Sequence, residues 1–290
     1  MELSEDFNPL LYRCNDYNAE ITQGDVIGLE RIAKAAVQSK KTIASRIGLI
    51  DEVRGFAILC MVVYHGFYDA VSIFGADIPA FDHPVMNFIR DAFAFGFIFI
   101  SGAASRFSRN NLKRGALCFG CGLAMTAVTA LFAADQLIVF GILHCLGICM
   151  MLFPLLSKLC DKVPVWIGAG ILSVLFLLTF RVSNGYLGSE QLFTIALPDS
   201  WYSTGWLFWL GLPSAGFYSA DYFPLLPWIF AFLLGGYFGR WLKNGNPPEW
   251  IKKTHLRPLA FVGRHTLWIY LFHQPVLLLL FELAAILMGY

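Results

Sequence analysis

Seven apolar segments, each long enough to cross a lipid bilayer, constrain this chain more than any other feature. A membrane-spanning helix needs about 20 apolar residues, because the hydrocarbon core of a bilayer is about 30 Å thick. Of the 290 residues, 57% are apolar and only 14% are charged, a balance typical of polytopic membrane proteins. We therefore predict an all-α membrane protein whose spans cover residues 46–69, 85–105, 116–132, 137–156, a segment ending near residue 180, 223–242 and 265–290.

Two stretches do not fit a simple span. Residues 181–221 are interrupted by Gly, Pro, Ser and Asp, and their aromatic middle, WLFWLGLPSAGFY, predicts an interfacial or re-entrant segment. Residues 1–45 are polar and form a predicted cytoplasmic tail, separate from a membrane domain over residues 46–290. Within the tail, residues 27–37 have a weak helical period, which leaves open a surface helix or a solvated segment.

The distribution of Lys and Arg predicts the orientation. These residues are concentrated in the tail and in three loops, at residues 106–114, 158–162 and 240–264, whereas the alternate loops contain only Arg181. Positively charged loops remain in the cytoplasm. We therefore expect a cytoplasmic N-terminus and a C-terminus on the outer side.

The first span carries four ionisable residues, Asp51, Arg54, His65 and Asp69. At 100° per residue, all four fall within an arc of about 60° on one side of the helix. Ionisable groups in hydrocarbon cost roughly 2.5–3.5 kcal/mol each, so they should face a protein interior or an aqueous cavity. The arc predicts a functional site, with a structural polar seam as the alternative.

Polar residues of other segments fall at the same predicted depth, in the outer third of the membrane. Arg90 lies just inside the outer end of the second span, with His83 in the preceding loop. His144 lies about two turns below the outer end of the fourth span, and Asp221 opens the sixth. For His273, in the last span, we favour a packing or interhelical hydrogen-bonding role.

Composition also limits the partners and cofactors. No basic cluster interleaved with aromatic residues suggests nucleic-acid binding. The seven cysteines are scattered through apolar segments, which gives no disulfide framework and no set of metal ligands. We expect membrane lipids as neighbours, no metal, and leave open a homodimer.

Five motifs together resemble the bacterial branch of the heparan-alpha-glucosaminide N-acetyltransferase catalytic-domain family. They are RIGLIDEVRGFAILCMVVYHGFYD, FIFISGAASRFSRNNLKRG, IVFGILHCLGI, DYFPLLPWIFAFLLGGYFG and FVGRHTLWIYLFHQPV. The resemblance implies an integral-membrane acyltransferase of the bacterial cytoplasmic membrane. Such an enzyme takes an acetyl group from cytoplasmic acetyl-CoA and places it on a sugar or glycan acceptor on the outer side.

The resemblance also implies catalytic residues. His65 and Asp69 match an H-x-x-x-D pattern, with His65 as base and Asp69 fixing its tautomer, and His144 ends the GILH motif. The lysosomal members have Asn in place of His65 and a catalytic His just before the second span, nearest to His83. The base therefore remains open between His65 and His83.

Residues that bind the two substrates are also assigned from the resemblance. Arg90, Asp221 and Trp228, the last residue of DYFPLLPW, are assigned to the acceptor. The donor is assigned to Asp51 and Arg54 of the opening motif, and to Arg106 and Arg109 in the basic loop, which would face the phosphates of CoA.

Two other functions are compatible with these residues. In a proton-coupled transporter, His65, Asp69 and Asp221 would form a proton relay, but internal repeats and paired broken helices are not found. In a haem protein, His65 and His144 would be axial ligands, and a Soret band would reveal them.

Overall fold

The computed structural model describes residues 47–81, 83–245 and 247–288, and these form a helical membrane domain. The predictions for residues 1–45, including a helix at residues 27–37, lie outside the described residues. The long helices are α1 (Gly48–Ser72), α2 (Pro84–Ser105), α3 (Asn111–Phe132), α4 (Ile142–Cys160), α5 (Val165–Thr179), α7 (Leu225–Asn244) and α10 (Thr266–Met288).

Seven helices in this part of the chain are long and apolar enough to cross a membrane, which confirms the predicted class. Their outer faces carry exposed apolar side chains, such as Phe132, Trp166 and Leu279. In water such surfaces would be costly, whereas in lipid they need no partner. The fold is therefore an all-α membrane protein.

Smaller elements join the spans. Residues 181–224 contain a hairpin of β1 (Tyr186–Ser189) and β2 (Phe193–Ala196), followed by α6 (Asp199–Ser203). The hairpin was not predicted from the sequence, nor were the helices α8 (Glu249–Lys252) and α9 (Arg257–Arg264) in the basic loop. Trp201, Trp206 and Trp209 are exposed in the hairpin region, as is typical of a membrane interface.

Two helix boundaries differ from the prediction. α4 begins at Ile142, about five residues later than expected, because the apolar residues before it bond to other segments. The backbone N–H of Ile138 donates to Thr129 Oγ1, and that of Val139 donates to Ser219 Oγ. α3 begins five residues earlier than expected, where the Asn110 side chain accepts a hydrogen bond from the third following N–H group.

Glycines set the closest helix contacts. A Cβ added to Gly102 of α2 would collide with the carbonyl oxygen of Phe232, and one added to Gly235 of α7 with that of Phe99. At the other side of the bundle, Gly55 of α1 lies against the backbone of α9. The absence of side chains lets these backbones approach, as in other membrane helix pairs.

The orientation is a prediction that reporter fusions can test. A reporter that is active only outside the cytoplasm is expected to be active after Tyr290 and inactive between residues 244 and 249, because Lys and Arg surround the second position. The opposite pattern of activity would show that the membrane orientation is the reverse of the predicted one. Equal activity at both positions would show that the last helix does not cross the membrane, which would contradict seven spans.

Candidate active site

A cavity of about 250 Å³ lies between α1, α2, α3, α4 and α10, at the end of the bundle away from the basic loops. Most of its wall is apolar. Ten polar side chains interrupt this wall: Tyr64, His65, Tyr68, Arg90, Thr129, Gln136, Asp221, Tyr270, His273 and Gln274. Three of them, His65, Arg90 and Asp221, were selected from the sequence, and the structure brings them to one cavity.

The α1 wall is formed by His65, with Asp69 one turn further along. The His65 ring lies among other rings, with its centroid 5.9 Å from that of Tyr64 and 5.0 Å from that of His273. Asp69 is fully buried, and its Oδ1 accepts a hydrogen bond of 2.6 Å from Nε2 of Gln274. The observed partner of Asp69 is thus Gln274 on α10 rather than the predicted His65.

α10 supplies the adjoining part of the wall and contacts α1. His273 is 9% exposed, and its Nδ1 lies 2.6 Å from the carbonyl oxygen of Tyr270. The hydroxyl of Tyr270 donates to Asp221 Oδ2 over 3.0 Å. Residues 270, 273 and 274 are three and four positions apart, which places them on one face of a helix.

Asp221 lies in the loop before α7 and links two helices. Its Oδ2 accepts hydrogen bonds from the backbone N–H of Ile142 (3.1 Å) and from Tyr270. It therefore caps the N-terminus of α4, whereas α7 begins at Leu225 after Pro224. Burial raises the pKa of the Asp221 carboxyl above its ordinary value, although both hydrogen bonds oppose this shift.

Arg90 and His83 stand at the outer edge of this region. Arg90 lines the cavity and pairs with the adjacent Asp91, whose Oδ1 lies 2.8 Å from Nη2. His83 is exposed and caps α2, where its Nδ1 accepts from the backbone N–H of Val85. The structure places His83 outside the cavity lining.

His144 occupies a different position from the one predicted. Because α4 begins at Ile142, His144 lies in its first turn and not two turns into the helix. Its Nδ1 accepts from the Gly141 N–H, and its Nε2 is 3.4 Å from Thr126 Oγ1. Both nitrogens are thus engaged by groups outside the cavity lining, and His144 is not part of the lining that contains His65.

Trp228 is not part of the cavity lining, although its neighbour Phe223 is. It is 6% exposed and packs against the rings of Phe176, Phe180 and Phe223. Its position in the DYFPLLPW motif is near Asp221 in sequence, but the side chain belongs to the aromatic core between α5 and α7.

The four residues assigned to the donor separate into two pairs. Arg106 and Arg109 line a second cavity, of about 520 Å³, at the basic end of the bundle. Arg54 instead bonds to Asp51 (3.2 Å) and to the carbonyl oxygen of Gly263 on α9 (3.3 Å). Asp51 and Arg54 are not part of either cavity wall.

Three buried polar atoms around the seam of α1 and α10 have no hydrogen-bond partner among the described residues. They are Asp69 Oδ2, His273 Nε2 and Gln274 Oε1. Leaving such an atom unpaired costs about 1–3 kcal/mol, so three at one place mark a polar site in an apolar setting. Titratable groups of this kind in a buried cavity are typical of proton-transfer chemistry.

Three wall residues of α10 were not predicted from the sequence to belong to the site. A packing role was predicted for His273, and no role was assigned to Tyr270 or Gln274. The signal lay in the segment YLFHQP, where Tyr, His and Gln interrupt an apolar helix at spacings of three and four.

Comparison with known proteins gives one match. The family described as "Heparan-alpha-glucosaminide N-acetyltransferase, catalytic" matches residues 46–275, which include every wall residue named above. No curated protein and no solved structure matches the chain significantly.

Proposed function

The chain belongs to the heparan-alpha-glucosaminide N-acetyltransferase catalytic family, a family of membrane acetyltransferases, and from this premise we propose its donor, acceptor and sidedness. The donor is acetyl-CoA, bound from the cytoplasm. The acceptor is a hydroxyl or amine of a sugar or glycan, and it enters the central cavity from the outer side of a bacterial cytoplasmic membrane. The family match and the seven apolar helices support this reading.

One observation carries the proposal. The rings of His65 and His273 contact each other in the wall of one cavity, with ring centroids 5.0 Å apart, in a part of the chain that should lie within hydrocarbon. Acetyl transfer requires a group that removes the acceptor's proton, and an imidazole is the side chain best suited to this near neutral pH. Buried imidazoles are costly in such surroundings, which favours a catalytic use over a purely structural one.

The cavity also contains a group for the developing negative charge. When the acceptor attacks the thioester carbonyl, charge builds on the carbonyl oxygen, and a nearby cation or hydrogen-bond donor stabilises it. Arg90 lines the cavity, and its positive charge would stabilise the negative charge on the carbonyl oxygen. His65 would carry the proton that the acceptor loses. The proton leaves the acceptor and ends on the sulfur of CoA.

The donor's phosphates are proposed to bind in the basic-end cavity. Arg109 is exposed there, beside Arg240 and Lys243. Arg90 and Arg106 stand near opposite ends of α2, about 24 Å apart at a rise of ~1.5 Å per residue. The pantetheine arm of CoA would span this separation and carry the thioester to the central cavity, while the charged phosphates remain at the basic end.

The affinity for the donor tests this placement. Arg109→Ala is expected to raise KM for acetyl-CoA about tenfold, because a charge-assisted contact to phosphate is worth about 1.5–3 kcal/mol. Lys113→Ala is the matched control. Lys113 is an exposed cation four residues after Arg109, in the first turn of α3, and it does not line the cavity. Steady-state kinetics with both substrates varied give the values.

The KM for acetyl-CoA also tests the assignment of Arg54 to the donor site. A raised KM for acetyl-CoA in Arg54→Ala, with Arg109→Ala unchanged, would move the phosphate site to α1 and contradict the basic-end cavity. The contacts of Arg54 with Asp51 and Gly263 instead favour a structural role for Arg54 in joining α1 to α9.

Release of free CoA thiol by the purified protein tests the activity itself. The expected result is release that depends on an added hexosamine or hexose and that yields an acetylated sugar. A protein that releases no thiol with any of these acceptors, but carries protons or a solute into proteoliposomes, would instead be a transporter. That outcome would refute the proposed function.

A further inference from the structure

The tautomer of His273 is fixed by one hydrogen bond. Its Nδ1 lies 2.6 Å from the carbonyl oxygen of Tyr270. A carbonyl oxygen accepts hydrogen bonds and cannot donate, so Nδ1 carries the hydrogen and Nε2 keeps its lone pair. Nε2 is buried and has no partner among the described residues. His273 therefore combines a fixed ring with an unused basic nitrogen.

The buried His144 and the partly buried His65 lack this combination. In His144, Nδ1 accepts the Gly141 N–H, so the hydrogen sits on Nε2, which faces Thr126. No hydrogen bond to a described residue orients the ring of His65, which is held by the neighbouring rings of Tyr64, Tyr68 and His273. An orienting partner on one nitrogen with a free lone pair on the other is the usual arrangement of a general base.

Two other unpaired buried atoms, on the residues that join α1 to α10, are also hydrogen-bond acceptors. Gln274 donates its Nε2 to Asp69 Oδ1, which leaves Gln274 Oε1 and Asp69 Oδ2 unpaired. A carboxylate oxygen, an amide oxygen and an imidazole lone pair can all accept but not donate. Such a set favours a ligand with several hydrogens to donate, as a sugar with hydroxyl or amino groups has.

We propose that His273 is a catalytic base of the acetyl transfer and that Gln274, which also lines the cavity and is held by Asp69, accepts a hydrogen bond from the acceptor. This inference rests on the proposed acetyltransferase function. The acceptor's O–H or N–H bond breaks and its proton goes to His273 Nε2. The freed electron pair bonds to the acetyl carbon, the C–S bond breaks, and the proton passes by way of His65 to the thiolate of CoA.

The test assays two variants of His273. Acetyl-CoA is the donor, and the acceptors are a panel of hexoses and hexosamines that includes D-glucosamine. His273→Ala and His273→Gln are both expected to lower kcat by about 10²–10⁴-fold, the usual contribution of a positioned base. KM for acetyl-CoA should stay within about threefold, which also shows that the variants are folded. Added imidazole should restore part of the rate in His273→Ala, where the ring has left space, and none in His273→Gln.

Two further variants complete the test. Gln274→Leu is expected to raise KM for the acceptor more than KM for acetyl-CoA. The control is His265→Ala, an exposed histidine at the start of α10, whose kinetics should match the wild type.

The possible failures are distinct. A His273→Gln enzyme with a kcat within threefold of an active wild type would overturn the base assignment and leave the acetyltransferase function standing. A wild type that acetylates no member of the panel would refute the proposed function and this inference with it.

Discussion

Replacing His65 by alanine is expected to lower kcat for acetyl transfer by about 10²–10⁴-fold while expression and detergent extraction stay near wild type. The ring lies in a cavity, so its loss leaves space and breaks no hydrogen bond to a described residue. It removes the imidazole that stands 5.0 Å from His273 and can carry the proton onward. Thiol release from acetyl-CoA by the purified variant measures the effect.

The contrast with His83 decides between the two candidate histidines. His83 is exposed at the start of α2 and does not line the cavity. Full turnover in His65→Ala together with lost turnover in His83→Ala would contradict the assignment and place the base in the loop before α2. The exposed His265 again provides a control, because its replacement should leave turnover unchanged.

Replacing Gly102 by leucine is expected to prevent folding, and Gly102→Ala is expected to lower Tm by about 5–10 °C in detergent. A Cβ at this position would collide with the carbonyl oxygen of Phe232, so α2 and α7 must separate. Overpacking a tight contact costs typically about 1–3 kcal/mol for a small addition, and more for a large side chain. A thermal melt followed by size-exclusion chromatography gives the result.

The matched control lies on the same helix. Gly96 of α2 has no atom within 4 Å of an added Cβ, so Gly96→Ala should leave Tm unchanged or raise it slightly, since Ala favours helix more than Gly does. Equal Tm values for the two alanine variants would contradict the close contact between α2 and α7.

The existence of the membrane spans was predictable because their apolar runs are long. The residues at which the helices begin and end were not predictable. The segment from Leu137 to Phe140 is as apolar as a membrane-spanning helix. Two of its backbone N–H groups nevertheless donate hydrogen bonds to the side chains of Thr129 and Ser219. Such contacts depend on the tertiary structure and leave no periodic signal. As a result, His144 lies in the first turn of α4 and not two turns into the helix.

Part of the candidate site was visible in the sequence for a physical reason. His65 and Asp69 stand out because polar residues in hydrocarbon need a partner, and their spacing puts them on one face. Their partners, His273 and Gln274, are more than 200 residues away in sequence, and hydropathy does not specify which helices pack together. For the same reason, the contacts of Trp228 with the aromatic core could not be read from the sequence.

The central claim is that the protein moves an acetyl group from a cytoplasmic donor to a glycan through the His65–His273 cavity. Membrane vesicles of known orientation, supplied with acetyl-CoA labelled in the acetyl group, test it most directly. We predict that label appears in the glycan or lipid-linked fraction only when the protein is present and acetyl-CoA is on the cytoplasmic face, and that His65→Ala abolishes it. Label transfer that is independent of the protein, or unchanged in His65→Ala, would contradict the claim.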